Sequence, residues 1–117
     1  MNNIHVDCVL DAKANLGEGP IWSIKDQNLY WVDINNCQLC KFNPVNGENI
    51  TINVGKPIGC FAIKKNLNII LALTNGFFEL NQNDKSMNFI NNPETNILDN
   101  RFNDGTVDLK GRFYAGT

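Results

Sequence analysis

Short apolar runs separated by polar turns extend along the whole chain. The runs either alternate apolar and polar residues or stay apolar, and no window keeps the 3.6-residue apolar period of an amphipathic helix. We therefore predict an all-β protein with almost no helix. The predicted strands lie at residues 6–10, 20–24, 29–34, 38–42, 49–54, 58–63, 69–73, 77–80, 87–90 and 112–115.

Turn-forming residues, mostly Asn, Asp and Gly, lie between these runs. The strongest hairpin signal among them is Asn75-Gly76, because both residues tolerate the positive φ angles of a type I′ turn. This dipeptide predicts a hairpin that joins the strands at 69–73 and 77–80.

The strand pattern also repeats. Asn28-Leu29-Tyr30-Trp31-Val32 recurs as Asn68-Ile69-Ile70-Leu71-Ala72 and again as Gly111-Arg112-Phe113-Tyr114-Ala115. A period of about 40–50 residues with four short strands per unit is typical of β-propeller blades. A β-sandwich or barrel is the alternative that the strand spacing also allows, but it does not require a repeat.

The repeat divides the chain into about two and a half blades. An early strand precedes the first blade and could close a propeller ring by joining the last blade. The predicted units are residues 1–15 (ring-closing strand), 16–56 (first blade), 57–99 (second blade) and 100–117 (start of a third blade).

Composition excludes several classes of partner. The chain has 117 residues, of which 43% are hydrophobic and 19% charged, with a net charge of −2, as expected of one soluble globular unit. It has no basic surface for nucleic acid and no apolar run near the roughly 18 residues that span a bilayer. Since the N-terminus resembles no signal peptide, we expect a cytoplasmic protein with neither nucleic-acid nor membrane partners.

The four cysteines, Cys8, Cys37, Cys40 and Cys60, are predicted to be free thiols. Cys37 and Cys40 have the spacing of half a zinc site, but there is no second Cys-x-x-Cys pair and the single histidine is distant in sequence. The pair also lies in a strand pattern, whereas a redox dithiol favours a helix N-terminus.

Two polar loops stand out as candidate ligand sites. Asp99-Asn100-Arg101-Phe102-Asn103-Asp104-Gly105-Thr106-Val107-Asp108 places an arginine, two amides and three carboxylates around one glycine, and Leu16-Gly17-Glu18-Gly19-Pro20 places one acid between two glycines. We predict that these loops line the same site. From residue type alone, Glu18 could equally be a solvated acid, and Arg101 and Asn103 a surface arginine and a turn residue. Asp104 and Asp108 are interpreted as structural hydrogen-bonding residues.

Both loops carry a family resemblance. The chain resembles the regucalcin (senescence marker protein) and gluconolactonase family of six-bladed propellers, and most closely its animal regucalcin branch. The matching segments are Cys8-Val9-Leu10, Gly17-Glu18-Gly19-Pro20-Ile21-Trp22, Leu29-Tyr30-Trp31-Val32-Asp33-Ile34, Asn100-Arg101-Phe102-Asn103-Asp104-Gly105-Thr106-Val107-Asp108 and Gly111-Arg112-Phe113-Tyr114-Ala115-Gly116-Thr117. The chain departs from the family pattern at Thr106 and Leu109.

The resemblance implies a divalent-metal-dependent lactonase that opens sugar lactones. Glu18 matches the family's first metal ligand, and Arg101 and Asn103 match the residues that hold the substrate. Ca²⁺ is the expected ion, with Zn²⁺ or Mg²⁺ as alternatives. The family's other metal ligands, an Asn and an Asp that also serves as the candidate general base, belong to later blades, so no catalytic residue is assigned in this chain.

Whether the chain is itself an enzyme is left open. Thr117 falls in the middle of a predicted blade, so we expect an N-terminal fragment that is inactive and poorly stable by itself, with a blade edge open to self-association. The alternatives are a non-enzymatic calcium-binding regulatory protein and an inactive truncated propeller. The chain lacks an EF-hand loop that would support the calcium-binding alternative.

Overall fold

The computed structural model describes residues 2–117 and contains ten β-strands and no helix among them. The all-β prediction is therefore confirmed. The strands are β1 (Gly17–Ser23), β2 (Asn28–Asp33), β3 (Gln38–Phe42), β4 (Asn49–Asn53), β5 (Ile58–Ile63), β6 (Ile69–Leu73), β7 (Gly76–Leu80), β8 (Met87–Asn91), β9 (Asp104–Val107) and β10 (Phe113–Gly116). In this described part of the chain, no helix is long and apolar enough to cross a membrane.

Each sheet is a simple antiparallel meander. The first has the order β1-β2-β3-β4, the second β5-β6-β7-β8, and the third pairs β9 with β10. The three copies of the sequence repeat coincide with β2, β6 and β10, the second strand of each sheet. The ranges 16–56, 57–99 and 100–117 contain these sheets, and their assignment as blade boundaries stays a prediction.

The first strands of the three sheets lie next to one another. β1 contacts β5, and β5 contacts β9. Sheets that meet through their first strands and extend outwards from them are arranged as blades of a β-propeller.

Two hydrophobic cores join the sheets. The larger core lies between the first and second sheets and is formed by Tyr30, Val32, Ile34, Leu39, Ile52, Val54, Ile58, Phe61, Ile69, Leu71, Leu73 and Leu80. The smaller core joins the second and third sheets through Cys60, Ala72 and Phe102, with Phe77 and Phe113 packed against them. The burial of β2 and β6 explains their high content of apolar residues.

The predicted hairpin between β6 and β7 is present, but its turn lies one residue earlier than expected. Leu73 pairs with Gly76, which leaves Thr74 and Asn75 as the two turn residues. Gly76 has a φ of +120°, whereas Asn75 is not among the residues with positive φ, so the predicted type I′ turn at Asn75-Gly76 is wrong.

The predicted strand at residues 6–10 is also absent. Val6 and Val9 are 83% and 75% exposed, and no strand of the described chain lies beside them. A strand without a neighbour leaves its backbone N–H and C=O groups unpaired, so the apolar pattern alone does not form one. The ring-closing role of this segment stays a prediction.

Candidate active site

A polar pocket of about 200 Å³ lies where the first strands of the sheets begin. It contains all three residues that the sequence singled out, and it joins the two polar loops as predicted. Its lining residues are Leu16, Glu18, Gly19, Ile34, Gly59, Arg101, Asn103 and Asp104.

Glu18 lies in β1 directly before a bulge. It pairs with Val32 of β2, and the register then shifts before Ile21. Gly19 has a φ of +60° within this shift, a left-handed conformation that glycine adopts without a steric cost. Because bulges redirect the side chains beside them, this irregularity accounts for an exposed glutamate at the pocket.

The loop before Glu18 is anchored by Asp33, whose side chain is buried. The backbone N–H groups of Asn15 and Leu16 donate to the two carboxylate oxygens, at 2.9 and 3.1 Å, and the Asn36 side-chain amide donates at 2.7 Å. Burial by itself would raise the pKa of Asp33, but the hydrogen bonds from Leu16, Asn15 and Asn36 outweigh it and hold the pKa below its ordinary value.

Asp33 had no role in the sequence-based interpretation. Its signal was weak, because an aspartate after an apolar strand and before two asparagines is usual at a turn. Its partners in the loop before Glu18 lie 17 and 18 residues earlier, and only the pairing of β1 with β2 brings them within reach.

The opposite wall of the pocket is formed by Arg101, Asn103 and Asp104. The side chain of Phe102 is buried in the smaller core, which leaves Arg101 and Asn103 on either side of it exposed to solvent. Arg101 donates from Nη1 to the Phe102 carbonyl oxygen at 2.8 Å, and the Asn103 N–H donates to the Gly116 carbonyl oxygen at 2.8 Å. The segment is thus fixed by packing and by backbone hydrogen bonds.

The two aspartates that were interpreted as structural do make local hydrogen bonds. Asp104 accepts from the Gly105 N–H at 2.7 Å, and Asp108 accepts from the N–H groups of Lys110 and Arg112, both at 2.9 Å. Asp104 in addition lines the polar pocket, which the sequence-based interpretation did not include.

The side-chain oxygen atoms of the residues that line the pocket are of the kind that binds a hard cation. Glu18 and Asp104 supply carboxylate oxygens and Asn103 an amide oxygen, the ligand types that Ca²⁺ and Mg²⁺ prefer. No group of three or more His, Cys, Asp or Glu side chains among residues 2–117 is arranged to hold a metal ion. The pocket therefore offers oxygen ligands of the kind that a hard cation takes, but fewer of them than Ca²⁺ or Mg²⁺ needs.

A larger cleft of about 860 Å³ adjoins the pocket, since Gly19 and Asp104 line both. Its walls are residues of the innermost strands β1, β5 and β9, and three lysines, Lys25, Lys64 and Lys65, lie along it. In a propeller, innermost strands surround the central channel.

All four cysteines are free, as predicted. Burial, together with the nearby Asp33 carboxylate, raises the pKa of Cys40 to about 11, and burial with the Asp104 carboxylate raises that of Cys60 to about 11. Both thiols are therefore protonated near neutral pH and behave as small core residues.

Comparison with known proteins agrees with this geometry. Residues 16–117 match the family model described as the SMP-30/Gluconolactonase/LRE-like region. The chain therefore belongs to this family, as the sequence motifs predicted.

Two curated relatives illustrate the range of the family. The chain is 37% identical over 117 residues to regucalcin from Xenopus laevis and 36% identical over 115 residues to 6-deoxy-6-sulfogluconolactonase from Pseudomonas putida. These alignments cover 100% and 98% of this chain but 39% and 40% of the relatives. The chain thus spans about two fifths of the length of these proteins.

Solved structures confirm the fold. A luciferin-regenerating enzyme superposes with a TM-score of 0.81 at 26% identity, over 87% of this chain and 36% of that protein. A calcium-binding protein, regucalcin from Agrobacterium tumefaciens, has the same TM-score at 20% identity, over 87% of this chain and 35% of that protein. The chain has the fold of part of a six-bladed β-propeller, present as about two and a half blades.

Proposed function

We propose that this chain provides part of the active site of a divalent-metal-dependent sugar lactone hydrolase. Glu18 serves as a metal ligand, and Arg101 and Asn103 bind the substrate. The observation that carries the proposal is the convergence of these three side chains on one polar pocket, although more than 80 residues separate Glu18 from Arg101. Membership of the gluconolactonase-like family and the identity to a sulfogluconolactonase support it.

The three side chains have complementary chemistry. The Glu18 carboxylate is a hard, anionic oxygen ligand, and a bound divalent ion would polarise a lactone carbonyl and lower the pKa of a bound water. Arg101 uses one donor of its guanidinium on Phe102, which leaves other N–H groups for the ring and hydroxyl oxygens of a sugar lactone. The Asn103 side-chain amide offers both a donor and an acceptor to the same ligand.

None of these residues is proposed to activate water. The guanidinium of Arg101 has N–H donors but no acceptor for a proton, and the Asn103 amide is not a base. In this proposal two further metal ligands belong to later blades, as the family resemblance implies: an Asn, and an Asp that is also the candidate general base. The role of residues 1–117 in this proposal is to bind one side of the metal and to orient the lactone beside it.

Calcium is the ion we propose, because the pocket offers only oxygen donors from Glu18, Asn103 and Asp104. Zinc accepts carboxylate oxygen but usually takes His or Cys as well, and neither residue lines the pocket. Magnesium has the same oxygen preference as calcium, so a comparison of the two ions belongs in the test.

The test uses the full natural chain that carries this sequence. Hydrolysis of glucono-δ-lactone is followed as proton release in a pH-stat, after metal removal with a chelator and after addition of Ca²⁺, Mg²⁺ or Zn²⁺. We expect metal-dependent hydrolysis, and we expect Glu18→Gln to weaken metal binding at least tenfold and to lower kcat/KM. Glu48→Gln is the matched control, because Glu48 is an exposed acid outside the pocket.

Metal-independent hydrolysis, or equal kcat/KM for the Glu18→Gln and Glu48→Gln variants, would contradict the proposal. Calcium binding without hydrolysis, measured by calorimetry on the same samples, would instead favour a calcium-binding protein without enzymatic activity.

A further inference from the structure

We infer that Asp33 is a positioning residue for Glu18, an inference that rests on the proposed metal-binding role of Glu18. Asp33 does not line the polar pocket and is only 2% exposed. Its carboxylate instead binds the backbone of the loop that leads into Glu18, so it acts on the pocket through that loop.

The Asp33 carboxylate accepts hydrogen bonds from two consecutive backbone N–H groups. Asn15 donates to Oδ2 of Asp33 at 2.9 Å, and Leu16 donates to Oδ1 at 3.1 Å. The backbone of Leu16 is held a second time, because the Ile34 N–H donates to the Leu16 carbonyl oxygen at 2.9 Å. Leu16 and Ile34 both line the pocket, so these hydrogen bonds fix part of its wall as well.

Only a few backbone contacts separate Asp33 from Glu18. Glu18 lies two residues after Leu16, and the intervening Gly17 pairs with Asp33 itself across the β1–β2 ladder. On its other side, Glu18 is followed by the bulge at Gly19, which provides no regular pairing. Apart from its own pairing with Val32, the backbone position of Glu18 therefore depends on the anchored side of the loop.

A carboxylate is needed for this role because both of its oxygens are used as acceptors. Asparagine has one acceptor oxygen and would present an NH₂ group towards a backbone N–H, which leaves a donor of the loop unpaired. An unpaired donor in these part-buried contacts is costly, so the loop is expected to move until water reaches it. Changes of this kind behind a metal ligand typically lower metal affinity about 10–100-fold.

Asp26 provides a matched control. It is also a hydrogen-bonded aspartate of the first sheet, but it precedes β2, whereas Asp33 is the last residue of that strand. Its carboxylate contacts Tyr30 at 2.7 Å and Lys41 at 3.0 Å and does not line the polar pocket. Both Asp26→Asn and Asp33→Asn are expected to lower stability, but only Asp33→Asn should disturb Glu18.

The experiment measures Ca²⁺ affinity by isothermal titration calorimetry for the full chain and both variants, alongside urea unfolding without metal. We expect Asp33→Asn to raise the Kd for Ca²⁺ at least tenfold and Asp26→Asn to leave it within twofold of the wild type. An unchanged Kd for Asp33→Asn, or an equal rise in both variants, would overturn the inference. A wild-type chain that binds no Ca²⁺ would overturn the proposed metal site together with it.

A second variant covers the case in which Asp33→Asn does not fold. Replacement of the Leu16 amide by an ester removes the N–H that donates to Asp33 and leaves every side chain in place. The same rise in the Kd for Ca²⁺ is expected, whereas a folded ester variant with wild-type affinity would show that the Asp33 contact does not position Glu18.

Discussion

At the scale of single residues, Gly59 decides how closely the two walls of the pocket approach each other. A Cβ atom at this position would lie 2.0 Å from the Phe102 carbonyl oxygen and 2.3 Å from its carbonyl carbon. Both are backbone atoms, so a side-chain rotation could not relieve the clash. Gly59 therefore allows the segment with Arg101 and Asn103 to lie directly against β5.

We expect Gly59→Ala to lower the free energy of unfolding by about 1–3 kcal/mol, because residues 100–103 must move away from β5. Gly116→Ala is the control, since a Cβ there meets no atom within 4 Å and the backbone is not left-handed. Urea unfolding of the two variants provides the comparison. Equal stabilities would show that the 100–103 segment is not held against β5 in solution.

At the scale of elements, asparagine and aspartate side chains shape the turns. In eight cases among residues 2–117, a side-chain oxygen accepts a hydrogen bond from the N–H two residues later, which is the Asx-turn pattern. Asn43, Asn46, Asn66 and Asn81 are examples, and each lies between or next to strands. Six asparagines therefore have a structural role in the turns.

The turns between the third and fourth strands correspond in the first two sheets. The Asn43 N–H donates to the Glu48 carbonyl, and the Asn81 N–H donates to the Ser86 carbonyl. The residue before each acceptor is left-handed: Gly47 has a φ of +76° and Lys85 a φ of +60°. The second sheet thus carries a lysine where the first uses glycine.

Lys85→Gly should remove the steric cost of the left-handed backbone and raise the free energy of unfolding by about 0.5–1 kcal/mol. Lys85→Ala removes the same charge but keeps a Cβ atom, so we expect no gain from it. Thermal and urea unfolding distinguish the two variants. A similar gain from both would assign the effect to the lysine charge and not to the backbone.

At the scale of the whole molecule, a polar network joins the first two sheets at the end away from the pocket. The buried Tyr30 donates its hydroxyl proton to Asp26 at 2.7 Å and accepts from the Gln82 amide at 3.2 Å. Lys41 completes the network with an ion pair to Asp26 at 3.0 Å. Gln82 belongs to the turn after β7, so this network spans two sheets whose shared core is apolar.

This network predicts acid sensitivity. Burial would raise the pKa of Asp26, but hydrogen bonds from Ser23, Tyr30 and Lys41 and the lysine charge lower it from 3.8 to about 2. Because the folded-state pKa is the lower one, the stabilisation is present above about pH 4 and is lost as the pH falls through about 2. The amount is about 2 kcal/mol.

Urea unfolding between pH 2 and pH 6 checks this expectation. The Asp26→Asn variant should be less stable than the wild type above about pH 4, and the two should approach each other near pH 2. A difference that stays constant across this range would show that the charge of Asp26 does not contribute.

The exposed apolar residues of the outer strands bear on the predicted self-association of the chain. Every residue of β8 is exposed, including Phe89 at 60% and Ile90 at 50%, and Tyr114 of β10 is 52% exposed. Apolar groups on outer strands are the features that favour pairing with another copy. Self-association through a blade edge stays a prediction.

The site could be predicted only in part from the sequence. The two polar loops stood out by their glycines and polar side chains, but Glu18, Arg101 and Asn103 were singled out within them by the family resemblance. The pocket brings these three residues together. Asp33 and Gly59 did not stand out. An aspartate at a strand end and a glycine within an apolar run are common, and their importance arises from contacts with residues distant in the chain.

By itself, the sequence determined the all-β class, the repeated unit and the family, because strand periodicity, turn residues and short motifs are local properties. The tertiary structure decided which loops face one another, how Asp33 anchors the loop before Glu18, and why residues 6–10 form no strand. These features depend on strand pairing and on packing between sheets, where the partners of a residue lie far from it in the chain. No local pattern specifies them.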